Sequence, residues 1–294
     1  MQKVTSWVFL LVFITVNAQR DWSKVEITSE KLSHNIYVLF GAGGNIGLAL
    51  GKEKAYVIDD QFGPLTDKIL AHIKTITSKP VSFVLNTHWH GDHTGGNENM
   101  ANQGALVIAH DNVRKRMASP QDRGGGRISD PSPDAALPVI TFDENMTVYI
   151  DKANAMHAMY VNPAHTDGDV YYYFPEENVI HMGDNFFVGR YPYIDLNSGG
   201  DIDGLISNVT MALGLVDEAT KIIPGHGPVA SKKDLEAYKE VLVALRSRVV
   251  KAKEEGKNLE EVQKMGLSKE WDASHGTGFI NPNRIIEFIY KSAD

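Results

Sequence analysis

The stretch Asn86-Thr-His88-Trp-His90-Gly-Asp92-His93-Thr-Gly-Gly96 places four nitrogen and oxygen donors within six residues. It directly follows the apolar segment Val81–Leu85, which predicts a strand that ends just before the first histidine. Residues two apart on an extended chain point the same way, so the two histidines that flank the tryptophan can bind one ion. Gly91 then permits a chain reversal that turns the next aspartate and histidine towards a second ion. This stretch therefore predicts a metal site at the end of a strand.

Three later segments supply further histidine and aspartate residues in a fixed order. They are Pro163-Ala-His165-Thr-Asp-Gly-Asp169, His181-Met-Gly-Asp184 and Ile223-Pro-Gly-His226-Gly. Together with the first stretch, they resemble the HxHxDH signature and the later motifs of the metallo-β-lactamase fold superfamily. The resemblance spans about residues 25 to 230, and four motifs in order are much more specific than one.

The resemblance implies a dinuclear metal centre. It assigns His88, His90 and His165 to a first ion, Asp92, His93 and His226 to a second ion, and Asp184 to a bridging position. Three nitrogens at one ion and a mixed set at the other suit zinc, with iron or manganese as alternatives because two ligands are carboxylates. Two zinc ions per chain would then activate a bridging hydroxide as the nucleophile, with Asp92 and Asp184 as the catalytic carboxylates.

Other residues are candidates for supporting roles around this centre. Asp59, which ends the predicted strand 55–59, matches the family's aspartate behind the first metal loop, and a simple strand-end turn is the alternative. Arg190 and Tyr193 follow the bridging aspartate on the expected rim of the site. There, an arginine can pair with a substrate carboxylate, and ordinary rim packing is the alternative.

Two glycine-containing segments are expected to flank the metal cleft and to govern substrate choice. One is the predicted hairpin tip Gly41–Gly47. The other runs from Ala118 to Pro138 and contains four prolines and the run Gly124–Gly126. This composition predicts a mobile surface loop without regular elements.

Short β-prone runs and helical segments alternate twice along the chain. The first four runs predict a meander and lie at residues 25–28, 35–40, 45–50 and 55–59. We expect an α+β or α/β fold, and the resemblance implies a four-layer αββα sandwich over residues 19–230. Residues 231–294 are expected to form a C-terminal helical extension packed on that domain, because Asp234–Lys253 and Pro282–Ser292 carry apolar residues at helical spacing.

The composition excludes several classes of protein and site. There are 29 basic and 37 acidic residues, which give a net charge of −8, so the positive surface that a nucleic acid needs is missing. The chain has no cysteine, which excludes disulfides, thiolate metal ligands and a cysteine nucleophile. Any metal must therefore be held by nitrogen and oxygen atoms.

Residues 1–18 are predicted to be a secretory signal peptide. The positive segment Met1–Lys3 precedes the apolar run Trp7–Val16, and small residues at Val16–Ala18 fit a cleavage site. The apolar run is about half of the ~20 residues that a membrane span needs. We expect an exported protein, periplasmic or secreted, without a membrane span after cleavage, and a retained anchor helix is the alternative.

The leading functional hypothesis is a dinuclear zinc hydrolase that cleaves an ester, lactone, thioester or amide bond of a small molecule. The best-known secreted zinc β-lactamases have a cysteine where Asp184 stands here. An aspartate at this position resembles glyoxalase II, lactonases and many generalist hydrolases of the superfamily. The alternatives are a class B-like β-lactamase, a mononuclear iron redox enzyme and a catalytically inactive binding protein of the same fold. The sequence leaves the substrate and the oligomeric state open.

Overall fold

The computed structural model describes residues 20–122 and 126–293. The segment predicted to be a signal peptide lies outside the described residues. The strands are β1 (Thr28–Lys31), β2 (Ile36–Phe40), β3 (Ile46–Leu50), β4 (Ala55–Ile58), β5 (Val81–Leu85), β6 (Leu106–His110), β7 (Gln121–Asp122), β8 (Ile128–Ser129), β9 (Ile140–Phe142), β10 (Asn145–Tyr149), β11 (Ala155–Tyr160), β12 (Val170–Phe174), β13 (Val179–His181) and β14 (Lys221–Ile223). The α-helices are α1 (Thr66–Ile76), α2 (Gly91–Thr94), α3 (Asn97–Asn102), α4 (Asp111–Met117), α5 (Ile202–Leu215), α6 (Lys232–Glu254), α7 (Leu259–Lys264), α8 (Lys269–His275) and α9 (Pro282–Ser292).

The first sheet has seven strands in the order β1-β2-β3-β4-β5-β6-β9. Strands β1 to β4 form the predicted antiparallel meander, whereas β4, β5, β6 and β9 run parallel to one another. Parallel neighbours need crossover connections, and α1 supplies the connection between β4 and β5. The carboxyl ends of β4, β5 and β6 therefore lie at the same edge of the sheet.

The second sheet has five strands in the order β10-β11-β12-β13-β14. Its first four strands are antiparallel, and the last two, β13 and β14, are parallel and joined through α5. The chain segments that leave β13 and β14 therefore start from one edge of this sheet.

Side chains that alternate along the strands place the two sheets face to face between helices. In β2, Ile36 and Val38 pack against residues of the second sheet, while Leu39 packs against α1. On the far side of the second sheet, Ile180 and Ile222 pack against α5, α6 and α9. The result is four layers in the order helices, sheet, sheet, helices.

The C-terminal helices share the apolar cluster that covers the second sheet. Helix α6 begins at a capping box in which Ser231 and Asp234 satisfy each other's backbone amides. Its buried face includes Leu235, Leu242 and Leu245, and this face contacts α5 and α9. Within the described part of the chain, no helix is long and apolar enough to cross a membrane.

Two predictions about secondary structure are wrong. The first strand is not 25–28 but Thr28–Lys31, an edge strand that pairs with β2 and whose four side chains are all exposed. The segment 118–138 does contain regular elements, namely the hairpin of β7 and β8 and a short 3-10 turn at Asp134–Ala136. Ala136 is buried in a small apolar cluster with Trp89, which fixes this part of the segment to the fold.

Candidate metal centre

Seven side chains meet where strands of both sheets end. The loop after β5 and the start of α2 carry four of them, and the others lie between β11 and β12, after β13 and after β14. They form two groups, in each of which the potential ligand atoms lie within 4.8 Å of one another. The first ligand group is His88, His90, His165 and Asp184, and the second ligand group is Asp92, His93 and His226. The structure thus brings together all seven residues that the motifs indicated.

The first ligand group is buried and rich in nitrogen. His90 Nδ1 lies 2.8 Å from His165 Nε2. The Asp184 Oδ2 atom lies 3.5 Å from His165 Nε2 and 3.9 Å from His88 Nε2. Three imidazole nitrogens and one carboxylate oxygen therefore face a common point.

The second ligand group is more open and contains a further carboxylate. His93 Nε2 lies 3.4 Å from His226 Nε2, which in turn lies 3.3 Å from Asp92 Oδ2. Asp184 also faces this group, because its Oδ1 atom lies 3.1 Å from His93 Nε2 and 3.5 Å from His226 Nε2. Asp184 thus presents one oxygen to each group, as a bridging carboxylate must.

Hydrogen bonds fix the tautomer of four of these histidines. His90 Nε2 donates to Asp195 Oδ2 at 2.9 Å, and His165 Nδ1 donates to the carbonyl oxygen of Tyr193 at 2.7 Å. His93 Nδ1 donates to Asp59 Oδ2 at 2.7 Å. Thr87 Oγ1 donates to the same carboxylate and so accepts from His88 Nδ1 at 3.0 Å. In each histidine, the other ring nitrogen is left with its lone pair directed into the ligand groups.

Metal ions fit this arrangement. His90 Nδ1 and His165 Nε2 approach to 2.8 Å although the second nitrogen of each ring carries the proton, so two lone pairs face each other. His88 Nε2 and Asp184 Oδ1 are buried and have no hydrogen-bond partner. Buried acceptors without a donor cost free energy, and a cation between them would remove that cost.

The electrostatic environments of the two groups differ. Burial lowers the pKa of His88 well below its ordinary value, and it also lowers the pKa of His90. In the second group, burial works against protonation of His226, but the nearby carboxylates of Asp184 and Asp92 outweigh it and raise the pKa to about 9. The same balance raises the pKa of His93 well above its ordinary value.

The carboxylates in contact with these histidines are ionised. Burial alone would raise the pKa of Asp92, but the adjacent His93 and His226 lower it to about 2. Burial would raise the pKa of Asp195, but the hydrogen bonds from His90 and Ser198 and the charges of His90 and His165 together lower it to about 2. The pKa of Asp184 lies well below its ordinary value for the same kind of reason, since His226, His93 and His165 surround it.

Asp59 and Asp195 accept hydrogen bonds from the outward-facing ring nitrogens of two of these histidines and so fix their orientation. Asp59 follows β4, is fully buried, and has a positive φ of 60° that turns its carboxylate towards the loop after β5. It accepts from the backbone and hydroxyl of Thr87 as well as from His93. Asp195 accepts from His90 and from Ser198 Oγ. The sequence predicted a supporting role for Asp59, which ends a strand and matches the family's aspartate behind the first metal loop. It did not indicate that Asp195 is a partner of His90.

The predicted glycine-containing hairpin tip lies against the second ligand group. A Cβ atom on Gly44 would lie 2.0 Å from Cε1 of His93, so only glycine fits there. Gln61 donates to the Gly44 carbonyl at 2.7 Å, and Asn45 donates to the carbonyl oxygens of Pro224 and Gly227. These bonds tie the tip to the loop that carries His226.

A cavity of about 640 Å³ opens in front of the two ligand groups and is called the metal cavity below. Asp92, His226 and Asp184 reach its surface, and the predicted rim residues Arg190 and Tyr193 line it. None of the described residues of segment 118–138 lines this cavity, contrary to the expectation for that part of the segment. Several of them line a separate cavity of about 150 Å³, which Trp89 also lines.

Two other polar residues of the motifs are occupied elsewhere. His181 donates from Nε2 to the Asn45 carbonyl and accepts from the Gly183 amide. The Asp169 carboxylate accepts from the His165 and Thr166 amides, which shapes the loop that presents His165. Both residues support the loops and do not face the ligand groups.

Curated proteins from several organisms are similar to this chain. One is the 2,4-dinitroanisole O-demethylase subunit alpha of Nocardioides sp., which is 29% identical over 161 residues, covering 54% of this chain and 44% of that protein. Another is the Beta-lactamase-like protein 2 homolog of Caenorhabditis elegans, 23% identical over 81% of this chain and 74% of that protein. A third is the hydroxyacylglutathione hydrolase of Nitrosococcus oceani, 27% identical over 65% of each chain. The chain therefore spans less than half of the first of these relatives and about two thirds to three quarters of the others.

Solved structures share the four-layer fold. A metallo-beta-lactamase from Pontibacter korlensis superposes with a TM-score of 0.61 at 21% identity, covering 74% of this chain and 99% of that chain. A stereoselective inverting sec-alkylsulfatase from Pseudomonas sp. superposes with a TM-score of 0.70 at 14% identity, covering 92% of this chain and 50% of that chain. At these identities the likeness concerns the fold alone, and it confirms the fold class that the motifs implied.

The sequence itself shows the family. The family described as the metallo-beta-lactamase superfamily matches residues 39–226, which is more than half of the chain and includes all seven residues of the two ligand groups. This chain belongs to the metallo-beta-lactamase superfamily.

Proposed function

We propose that the protein is a hydrolase that uses two zinc ions to cleave an ester, lactone, thioester or amide bond of a small molecule. The observation that carries this proposal is the position of Asp184, which presents one carboxylate oxygen to each ligand group. A single metal site would not need a carboxylate placed in this way. Relatives named metallo-hydrolase and hydroxyacylglutathione hydrolase support hydrolysis as the reaction type.

The donor set favours zinc in both positions. Five imidazole nitrogens and two carboxylates face the two points, and in His88, His90, His93 and His165 the ring nitrogen directed inwards is the one that the outer hydrogen bond leaves for a metal ion. Iron and manganese are the alternatives that the carboxylates leave open. Two bound zinc ions would supply Lewis-acid activation of a carbonyl group and of water.

The residues of the chain position the reactants in this scheme. The Asp92 carboxylate is 31% exposed and reaches the metal cavity. Because its pKa of about 2 keeps it ionised at neutral pH, it can accept a hydrogen bond from water and orient that water towards a carbonyl. The buried first ligand group forms the rigid floor of the cavity, and the volume of about 640 Å³ suits a small molecule.

Metal analysis followed by a substrate panel tests the proposal. We expect about two zinc ions per chain, and turnover of lactone, thioester or ester substrates that chelation abolishes and zinc restores. Chelation should also lower the melting temperature, since the converging ligands lose their common partner. One ion per chain at saturating zinc, or turnover that survives complete metal removal, would contradict the proposal. Preferential cleavage of β-lactams on the same preparation would instead support the β-lactamase alternative.

We also propose that the protein acts outside the cytoplasm, on the strength of the signal-like pattern in residues 1–18. Mass analysis of the protein recovered from its native compartment tests this. The expected N-terminus is Gln19. A chain that begins at Met1 in the cytosolic fraction would contradict export.

A further inference from the structure

The lining of the metal cavity combines apolar and cationic side chains. Phe187, Tyr193, Phe279 and Ile280 contribute to the apolar part of the lining. The cationic part consists of two arginines, Arg20 and Arg190. The protein as a whole is acidic, with a net charge of −8, so two cationic groups at the mouth of the site stand out from the average surface.

The two arginines lie at a boundary between cavities. Both line the metal cavity and also a neighbouring groove of about 590 Å³, and His226 of the second ligand group lines both spaces as well. Arg20 lies over the rings of Trp22 and Phe62, with distances of 5.2 and 5.7 Å to the ring centroids. Both arginines therefore line the same two spaces as His226 of the second ligand group.

Neither arginine forms an ion pair with a residue in the described parts of the chain. The carboxylates that line the metal cavity are those of Asp92, Asp184 and Asp195, and each already faces a histidine. A guanidinium group binds compact oxyanions through paired hydrogen bonds, and among residues 20–122 and 126–293 neither of these two arginines has a carboxylate partner.

The apolar part of the lining contains a solvent-exposed aromatic ring. Phe279 is 87% exposed, and its ring lies 6.1 Å from that of Tyr193, measured between centroids. An apolar group placed against these rings would remove both surfaces from water, which is favourable in proportion to the area covered. Phe279 thus extends the apolar lining that Phe187 and Ile280 form in the metal cavity, and such a lining is typical of a small-molecule site.

We infer that the substrate is an amphiphilic anion, with an apolar alkyl or aryl body against Phe279 and Tyr193 and a compact oxyanion such as a carboxylate at Arg190 and Arg20. The inference rests on the proposed function for the bond that is cleaved, and it adds the chemical class of the molecule that carries that bond. Arg20, Phe279 and Ile280 lie outside the residues 39–226 that match the family, whereas Arg190 and Tyr193 lie inside them, so the segments that flank the shared domain supply part of this selectivity.

Binding of small, unreactive ligands to the zinc-loaded protein tests the inference without relying on turnover. The probes are 4-phenylbutanoate, its neutral amide, butanoate and 3-phenylpropane-1-sulfonate, each measured by calorimetry. We expect 4-phenylbutanoate to bind about tenfold more tightly than the amide, as one charge-assisted hydrogen-bond pair predicts. Butanoate should bind about tenfold more weakly, because it lacks the apolar body. Tight binding of the sulfonate would extend the site to other oxyanions, and weak binding would restrict it to carboxylates.

Variants separate the arginines from the metal as the source of acid preference. Arg190→Gln and Arg20→Gln should each reduce the ratio of acid to amide affinity several-fold, and together they should abolish it. Phe279→Ala should weaken 4-phenylbutanoate but not butanoate. Zinc content should stay at the parent value in all of them. Lys52→Gln, an exposed lysine outside the cavity lining, is the matched control and should leave both ratios unchanged.

The outcomes distinguish this inference from the proposed function. If the acid preference persists in the double arginine variant with full zinc content, the carboxylate binds the metal instead and the inference is overturned. Hydrolysis of neutral substrates with no acid preference in the parent protein would also overturn it, while leaving the function intact. If the acid preference depends on the arginines but no carbonyl substrate is hydrolysed, the proposed hydrolase function is overturned, whereas the proposed anion-binding site is supported.

Discussion

The two ligand groups of the metal centre are built on opposite principles. In the first group, the side chains are almost fully buried. The ring nitrogen of each histidine that faces away from the group donates its proton to a fixed acceptor. In the second group, the side chains of Asp92 and His226 are 31% and 18% exposed and face the metal cavity. One half is therefore a rigid support, and the other half is in contact with solvent and substrate.

The charges differ in the same direction. Burial lowers the pKa of His88 and His90, so these ligands are neutral at pH 7 and ready to bind an ion. The carboxylates around His93 and His226 raise the pKa of both, so protons occupy the second group when metal is absent. We therefore expect the first group to bind its ion before the second and with less dependence on pH.

Removal of Asp184 should have the largest effect, because it is the one residue that belongs to both halves. Asp184→Ala should deplete both ions and reduce hydrolysis by about three orders of magnitude or more, equal to about 4 kcal/mol of transition-state stabilisation. Asp184→Asn keeps the shape and an oxygen donor but removes the charge, so metal affinity should still fall steeply. Zinc content and turnover of both variants check this. Two zinc ions and near-parent activity in Asp184→Ala would contradict the bridging role.

Substitution of a single ligand should remove the ion of one group and leave the ion of the other group bound. His226→Ala should release the ion of the second group, keep the ion of the first, and reduce turnover by about two orders of magnitude, as the loss of one Lewis acid predicts. His165→Ala should do the reverse and remove the buried ion. Zinc stoichiometry with competitive chelators measures both. Equal metal loss in the two variants would show that the groups do not bind independently.

Substitution of Asp195 should weaken the first half alone. In Asp195→Asn, an uncharged amide replaces the carboxylate that accepts the Nε2 proton of His90 and so fixes the tautomer of this ring. The metal affinity of the first group should therefore fall by about 10 to 100-fold. Asp272→Asn is the matched control, because Asp272 accepts from Tyr191 and contacts no ligand. Chelator titration resolves the two ions. Weakening of the second ion instead would contradict the assignment of Asp195 to the first group.

The seven residues of the two ligand groups were predictable because four motifs in a fixed order resemble those of the superfamily. For six of the seven, the preceding strand, β5, β13 or β14, was also recognisable from its short apolar run, whereas His165 lies between β11 and β12. The helical extension was also predictable, since α6 and α9 keep apolar residues at helical spacing.

The supporting contacts were not predictable because they join distant segments. Asp195 lies 105 residues from His90, and no local pattern marks an aspartate in a loop as the partner of a particular histidine. The strand β1 was misplaced because its residues are all exposed and have no apolar alternation. Segment 118–138 was expected at the metal cleft from composition alone, whereas in its described part Ala136 and Leu137 pack beside Trp89 and other residues line a separate cavity.

The smallest expected effect is a difference in how pH changes the affinity of the two halves. A metal ion binds the neutral form of His226, whose pKa of about 9 keeps it protonated at pH 7 in the metal-free protein. An ion that binds at the second group therefore displaces the proton of His226, and this displacement alone should raise the affinity by up to about tenfold for each pH unit between 7 and 9. His88 and His90, with lowered pKa values, are already neutral in this range, so affinity at the first group should stay nearly constant. Zinc titrations at pH 7, 8 and 9 in two buffers with different ionisation enthalpies count the protons released, and His226→Ala isolates the first ion as the control. Equal pH slopes for the two ions would show that the carboxylates around His226 do not set its protonation, and the contrast between the two halves would then rest on burial alone.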